Sequence, residues 1–269
     1  MQNASLLASF PLWYLKARNR HGIHSPFLYR FLDQCAYKDR QETEFISIEE
    51  HRLQLRREPT VLNYTDPGAG SRLSSPISNS GNRQREITVA RLACTSLQSA
   101  RFCRLLYRMV QYFQCKNILE MGTSLGITTA YLASAAPEGR VYTIEGAEPI
   151  ARKAAAFFAQ QDLRQVHLQN ELFDNALANL APENRFDLIY LDGDHQGNKV
   201  LEYFSILMKH IHNSSVLVLD DIRWSTSMFE AWKKICRREE VRISVDMFHL
   251  GILFFDPRLT KEHFTIRYP

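Results

Sequence analysis

Four apolar runs from Asn117 onward each end in an acid. Asn117-Ile118-Leu119 leads into Glu120, Val141 to Ile144 into Glu145, Asp187 to Leu191 into Asp192, and Val216 to Leu219 into Asp220. Carboxylates in such places can accept hydrogen bonds from hydroxyls, take up a proton or surround a hard cation. Three further candidates stand close by: Asp194, His195 and Asp221. An imidazole suits proton transfer near neutral pH, and a bland alternative for His195 is a hydrogen-bonded supporting role. The segment Glu120-Met121-Gly122-Thr123-Ser124-Leu125-Gly126 joins a strand to a helix. Gly122 permits close approach of a ligand to the backbone, Thr123 or Ser124 can cap the next helix, and amides exposed there favour a carboxylate or phosphate. The three-glycine dinucleotide pattern is absent. Glu145 can accept both hydroxyls of a ribose, and its plainer reading is an acid capping the helix that begins near Pro149.

The elements that must carry these residues alternate regularly from Asn117 onward. Strand 117–121 precedes helix 124–136, strand 141–145 precedes helix 149–161, and strand 166–169 precedes helix 172–180. Strand 186–191 then precedes helix 197–210, and strand 215–219 precedes helix 225–238. Short continuous apolar runs read as buried parallel strands, and an open α/β sheet collects ligands at their carboxyl ends. The acids are therefore expected at one crevice. Two last strands, Val241 to Phe248 and Gly251 to Phe255, are separated only by His249-Leu250, so one of them runs against the others.

Upstream, residues 1–58 read as helical. Ser25 is placed to cap a helix with Pro26 at its first position, and Phe27, Leu28, Phe31 and Leu32 continue its apolar face. A second helix is expected from Ile48 to Arg57, stopped by Pro59. Thr65 to Asn82 is rich in Gly, Ser and Pro and reads as a lid or a disordered loop. Arg85 to Phe113 reads as one helix leading into the first strand.

A chain of 269 residues, 45% hydrophobic and 23% charged, can bury one sizeable core and an appendage. The net charge of +4 is mild, and the arginines at 83, 85, 91, 101, 104 and 108 are scattered rather than interleaved with aromatics, which argues against a nucleic-acid groove. Five cysteines, odd in number and without a C-x-x-C pair, indicate thiols in a reducing, cytoplasmic compartment. Ala4 to Leu15 is apolar, but Pro11 interrupts it and no basic region precedes it, so it reads as an amphipathic docking segment rather than a signal peptide. No apolar stretch reaches the roughly 18 residues needed to span a bilayer.

Taken together, Ile118 to Gly126, Tyr142-Thr143-Ile144-Glu145-Gly146, Asp187 to His195 and Val218-Leu219-Asp220-Asp221-Ile222 resemble the successive motifs of class I S-adenosylmethionine-dependent methyltransferases, over about residues 85–256. The resemblance implies a Rossmann-like α/β fold: a seven-stranded, mostly parallel sheet with an antiparallel terminal hairpin and helices on both faces. Residues 85–269 would form the cofactor-binding domain and residues 1–84 a helical cap or lid. It further implies that Glu120, Gly122, Thr123, Ser124 and Gly126 line the methionine end of S-adenosylmethionine. Glu145 and Gly146 would hold its ribose, Asp192 would shape the pocket, and Asn170 to Phe173 would lie near adenine. The usual small-residue-plus-acid pattern is missing at that last place. His21 to Phe27 is similar to the leader of uncharacterised bacterial methyltransferases, which names no substrate.

Within the family, Leu191-Asp192-Gly193-Asp194 with Asp220-Asp221 is similar to metal-dependent small-molecule O-methyltransferases, and the Asp-Asp pair is closer to the sugar-modifying members than to the catechol type. Asp192, Asp220 and Asp221 would then offer Mg²⁺ an all-oxygen site and lower the pKa of a substrate hydroxyl, with Asp194 or His195 as base. Without a metal, Asp220 and Asp221 cap the following helix. The expected activity is O-methylation of a small molecule, with no membrane or nucleic-acid partner and a homo-oligomer left open. A nicotinamide oxidoreductase would want the missing third glycine. A protein or RNA methyltransferase draws support from the basic segment 59–116, and a non-catalytic binding protein is opposed by the intact set of acids.

Overall fold

Residues 9–38, 45–66 and 83–268 are described in the computed structural model. The Ser/Gly-rich loop and the start of the amino-terminal apolar segment fall largely outside them. Two compact units emerge: residues 1–39 with 180–269, and residues 40–179.

The second unit opens with the helix Ile46–Leu55 and a hairpin of β1, Val61–Asp66, and β2, Arg83–Thr88. Helices Val89–Ser96 and Ala100–Tyr112 follow. The single helix expected over Arg85 to Phe113 is therefore replaced by a strand and two helices. Ile87 pairs across the hairpin with Leu62, where β-branched residues suit a pleated surface. The break after Ser96 has a local cause. The Thr95 hydroxyl donates to the Arg91 carbonyl at 3.0 Å and that of Ser96 to the Leu92 carbonyl at 2.9 Å, while Ser99 caps the next helix through the Phe102 amide. Strands β3, Asn117–Met121, β4, Arg140–Ile144, and β5, Val166–Gln169, then pair in parallel, with helices Ile127–Ala135, Glu148–Gln160 and Phe173–Ala178 after them. Phe45, Tyr107, Ile127, Tyr131 and Phe157 are central to this unit's core.

The first unit contains helix Phe10–Lys16 and helix Pro26–Phe31, the latter capped by Ser25 as its sequence requires. Its strands are β6, Leu188–Leu191, β7, Val216–Leu219, β8, Ile243–Met247, β9, Leu250–Phe254, and β10, Glu262–Thr265. They lie in the order β10-β8-β9-β7-β6, and only β9 runs antiparallel to its neighbours, as the closing hairpin predicted. With β3, β4 and β5 parallel in the other unit, the strands β3 to β10 are mostly parallel; β10 is the edge strand that sequence reading missed. Every residue of β6 to β9 is buried, which explains their unbroken apolar runs. Gly251 is needed on β9 because a Cβ there would meet the Trp232 ring at 2.5 Å.

The docking segment foreseen at the amino terminus is anchored by Trp13. Its indole packs on Phe248 at 5.2 Å, and its Nε1–H donates to Asp246 Oδ1 at 3.0 Å. Asp246 also accepts both terminal nitrogens of Arg223, at 2.7 and 2.5 Å, and the amide of Phe248 at 2.9 Å. The side chains of this ion pair are 7% and 5% exposed, so removing the cation alone would strand a buried carboxylate. Arg223→Met should lower unfolding free energy by about 3–5 kcal/mol in urea titration. A loss below about 1 kcal/mol would show that the pair is solvated like a surface one.

Candidate active site

In the second unit the turn after β3 is shaped by its backbone. Gly122 has φ +109, Ser124 φ +48 and Gly126 φ +82. The helix Ile127–Ala135 is capped by Gly126, with no side-chain cap, so neither Thr123 nor Ser124 takes the capping role expected of them. A Cβ on Gly126 would lie 2.6 Å from the Phe158 ring, which makes this glycine a helix-packing residue as well as a turn residue. A non-glycine residue at φ +48 costs roughly 1–3 kcal/mol and persists only where its surroundings hold it. For Ser124 the holder is Glu145. Oε2 of Glu145 accepts the Ser124 amide at 2.9 Å, and Oε1 accepts the Ala147 amide, also at 2.9 Å. A carboxylate offers about four acceptor sites, a chemistry that suits the two hydroxyls of a ribose. Asn170 ties the end of β5 to this corner by donating to the Glu145 carbonyl at 2.7 Å.

Glu120 is placed differently from a cofactor contact. Its carboxyl is fully buried, and Oε2 accepts the hydroxyls of Thr129 at 2.5 Å and Thr143 at 2.7 Å. Thr143 thereby spends its one proton, so the Thr123 hydroxyl, 2.6 Å away, donates to it. The chain Thr123–Thr143–Glu120–Thr129 links the turn, β4, β3 and the helix Ile127–Ala135. Oε1 of Glu120 is buried and has no hydrogen-bond partner. Desolvation pushes this carboxyl up to about 7; the two threonine hydroxyls oppose the shift and nearby Glu145 adds to it.

In the first unit Asp192, Asp194, His195 and Asp221 are half-buried and Asp220 is buried. The Tyr190 hydroxyl lies 3.1 Å from Asp192 Oδ2 and 2.8 Å from Asp220 Oδ2, joining the ends of β6 and β7. Asp220 Oδ1 accepts the Asp221 amide at 2.8 Å. Asp194 accepts from Gln196 Nε2 at 2.8 Å and from the Tyr203 hydroxyl at 2.9 Å. His195 stacks on Trp224 with centroids 4.7 Å apart, and its Nε2 is 4.0 Å from Asp221 Oδ2. Asp194 and Asp221 have φ +45 and +49, so strained backbone falls on these candidates too. Sequence reading missed Tyr190, Tyr203 and Thr143. Tyr190 was accessible to it, because residues two apart on a strand share a face; the other two reach their partners only through the fold.

The fit to a divalent cation differs from the fit to a ribose. Among the described residues no three His, Cys, Asp or Glu side chains are grouped to hold a metal ion. Asp192 and Asp220 are instead bridged by a tyrosine hydroxyl, and Asp220 is committed to the Asp221 amide.

The raised Glu120 pKa has a definite sign. The folded protein keeps a proton that the unfolded chain gives up above about pH 4.5, so stability falls as pH rises from there to about 7. The loss amounts to roughly 3 kcal/mol. Glu120→Gln should flatten stability across this window when unfolding is followed by denaturant titration at several pH values. An unchanged slope would remove Glu120 as its source.

Against known sequences and structures, a family profile described as "Methyltransferase domain" matches residues 119–222. A catechol O-methyltransferase of Niastella koreensis is 30% identical over 123 residues, covering 44% of this chain and 55% of that protein. An uncharacterised mimivirus protein is 28% identical over 97 residues, covering 34% of this chain and 44% of its own length. The chain thus spans about half the length of the curated relatives it matches. An O-methyltransferase from Bacillus cereus, solved with SAH, superposes with a TM-score of 0.56 at 21% identity over 84% of this chain and 96% of its own. The O-methyltransferase TomG of Streptomyces achromogenes, solved with SAM, gives 0.53 at 22% over 60% and 82%. These structures share the fold. Residues 119–222 thus match a methyltransferase domain, and the fold is the one these O-methyltransferases share.

Proposed function

We propose that this protein transfers the methyl group of S-adenosylmethionine to a hydroxyl of a small molecule. The observation that carries the reading is the corner at β3 and β4, where Glu145 holds the strained Ser124 amide inside the matched domain. The cofactor supplies an electrophilic methyl on a sulfonium, and the chain supplies position and proton transfer. Glu145 and Gly146 hold the ribose, and the turn Gly122 to Gly126 receives the methionine end. Fixing an acceptor oxygen in line with the methyl replaces a bimolecular encounter, so most of the rate comes from positioning. As the oxygen gains the methyl group its proton leaves. We assign that proton to His195, an imidazole stacked on Trp224 and of the kind suited to proton transfer near neutral pH, with Asp194 beside it in sequence. Residues 85–269 serve as the cofactor-binding domain and residues 1–84 as its extension. No helix among the described residues is long and apolar enough to cross a membrane. All five cysteines are thiols, which supports a reducing, cytoplasmic setting.

Labelled S-adenosylmethionine incubated with the protein and an extract split into small-molecule, protein and RNA fractions tests the acceptor class. Label mainly in protein or RNA overturns it. Glu145→Ala should weaken cofactor binding at least tenfold by calorimetry while the far-ultraviolet spectrum stays folded, since each hydrogen bond to a charged acceptor contributes about 1.5–3 kcal/mol. Unchanged affinity removes Glu145 from the site. With an acceptor in hand, His195→Ala should cut kcat about a hundredfold or more, Asp194→Asn less, and both should leave cofactor affinity nearly intact. Turnover should survive exhaustive chelation; loss restored by Mg²⁺ would return Asp192, Asp220 and Asp221 to the metal role.

A further inference from the structure

The left-handed Ser124 is held from a second side. Its hydroxyl lies 2.8 Å from that of Ser96, the last residue of the helix Val89–Ser96. Counting protons fixes the direction. Ser96 donates its hydroxyl proton to the Leu92 carbonyl at 2.9 Å, and a serine hydroxyl has only one, so Ser124 donates and Ser96 accepts. The Ser124 rotamer and the bend that carries it are thus tied to a helix outside the matched segment 119–222.

Ser96 is itself fixed by the two residues after it. Leu97 leaves the helix with ψ 127, and the carbonyl of Gln98 accepts the Arg52 guanidinium at 2.6 Å. Arg52, 3% exposed, is paired with Glu49 at 3.0 and 2.9 Å, and Glu49 also accepts the Tyr131 hydroxyl at 2.7 Å. An ion pair on the helix Ile46–Leu55, its arginine buried and its glutamate half-buried, therefore secures the turn from which Ser96 reaches Ser124. Such a brace suits a loop that must keep a strained shape without its ligand.

We propose that Ser96 is a positioning residue for S-adenosylmethionine: by accepting from Ser124 it holds the turn after β3 in the shape that receives the cofactor, with Arg52 steadying the segment that carries it. The inference rests on reading Gly122 to Gly126 and Glu145 as the cofactor site. Calorimetry of S-adenosylmethionine binding to the full chain tests it in Ser96→Ala, Ser96→Thr, Ser124→Ala, the double Ser96→Ala/Ser124→Ala, and Glu145→Ala. Ser96→Ala should weaken binding about three- to tenfold, the size of one neutral hydrogen bond, with Tm little changed and KM for the cofactor raised more than kcat falls. Ser96→Thr should restore affinity. The double variant should bind no more weakly than Ser124→Ala, because the partner is already gone. Wild-type affinity in Ser96→Ala alongside weak binding in Glu145→Ala overturns the proposal alone, as does a Ser96→Ala effect that persists in full without the Ser124 hydroxyl. Wild-type affinity in Glu145→Ala overturns the cofactor reading, and the proposal with it.

Discussion

A carboxyl group shut inside the second unit sets the conditions for the rest of its site. Desolvation disfavours the charged form of Glu120, and two threonine hydroxyls offset only part of that cost. Because Thr143 gives its proton to Glu120, Thr123 must donate to Thr143, so the direction of every hydrogen bond in the chain follows from the buried acid. The turn after β3 inherits its shape from this network below and from Glu145 beside it. The two glutamates, both acids near strand ends, thus do opposite work. One is hidden and braces; the other is half-buried and presents its oxygens to amides.

Backbone strain supports the same division. Ser124, Asp194, Asp221 and Phe248 all adopt left-handed conformations just beyond β3, β6, β7 and β8. Each has an identifiable restraint: the Glu145 carboxylate for Ser124, Tyr203 and Gln196 for Asp194, the Asp220 carboxylate for the Asp221 amide, and Asp246 for the Phe248 amide. In three of these four the restraint is a carboxylate on a backbone N–H, a charge-assisted bond stronger than a neutral one. Acids at the carboxyl ends of these strands therefore shape loops before they meet any ligand.

The amino-terminal residues are built into both units by one device, a buried arginine paired with an acid. Trp13 reaches the Arg223–Asp246 pair in the first unit, and the helix Ile46–Leu55 contributes the Arg52–Glu49 pair in the second. A buried arginine paired in this way gains little net stability over apolar packing, but its hydrogen bonds restrict the geometry of the segment that carries it. That suits segments that must hold a loop in place.

The alternation of strands and helices from Asn117, the reversed strand of the closing hairpin, the Ser25 cap and the family resemblance were legible in the residues alone, because each depends on local periodicity, capping chemistry or motif order. The sequence could also point to Glu145, whose place after a buried strand fixes its place in a parallel sheet. It misjudged Arg85 to Phe113, where one apolar period concealed a strand pairing with Leu62 and a break made by Thr95, Ser96 and Ser99. Edge strand β10 was missed for a related reason, since Glu262-His263-Phe264-Thr265 becomes a strand only by pairing with β8. Tertiary structure alone decided which acids are buried, which share a tyrosine hydroxyl, and that Ser96 meets Ser124 across 28 positions of chain. Those facts depend on distances between residues remote in sequence, and no local pattern records them.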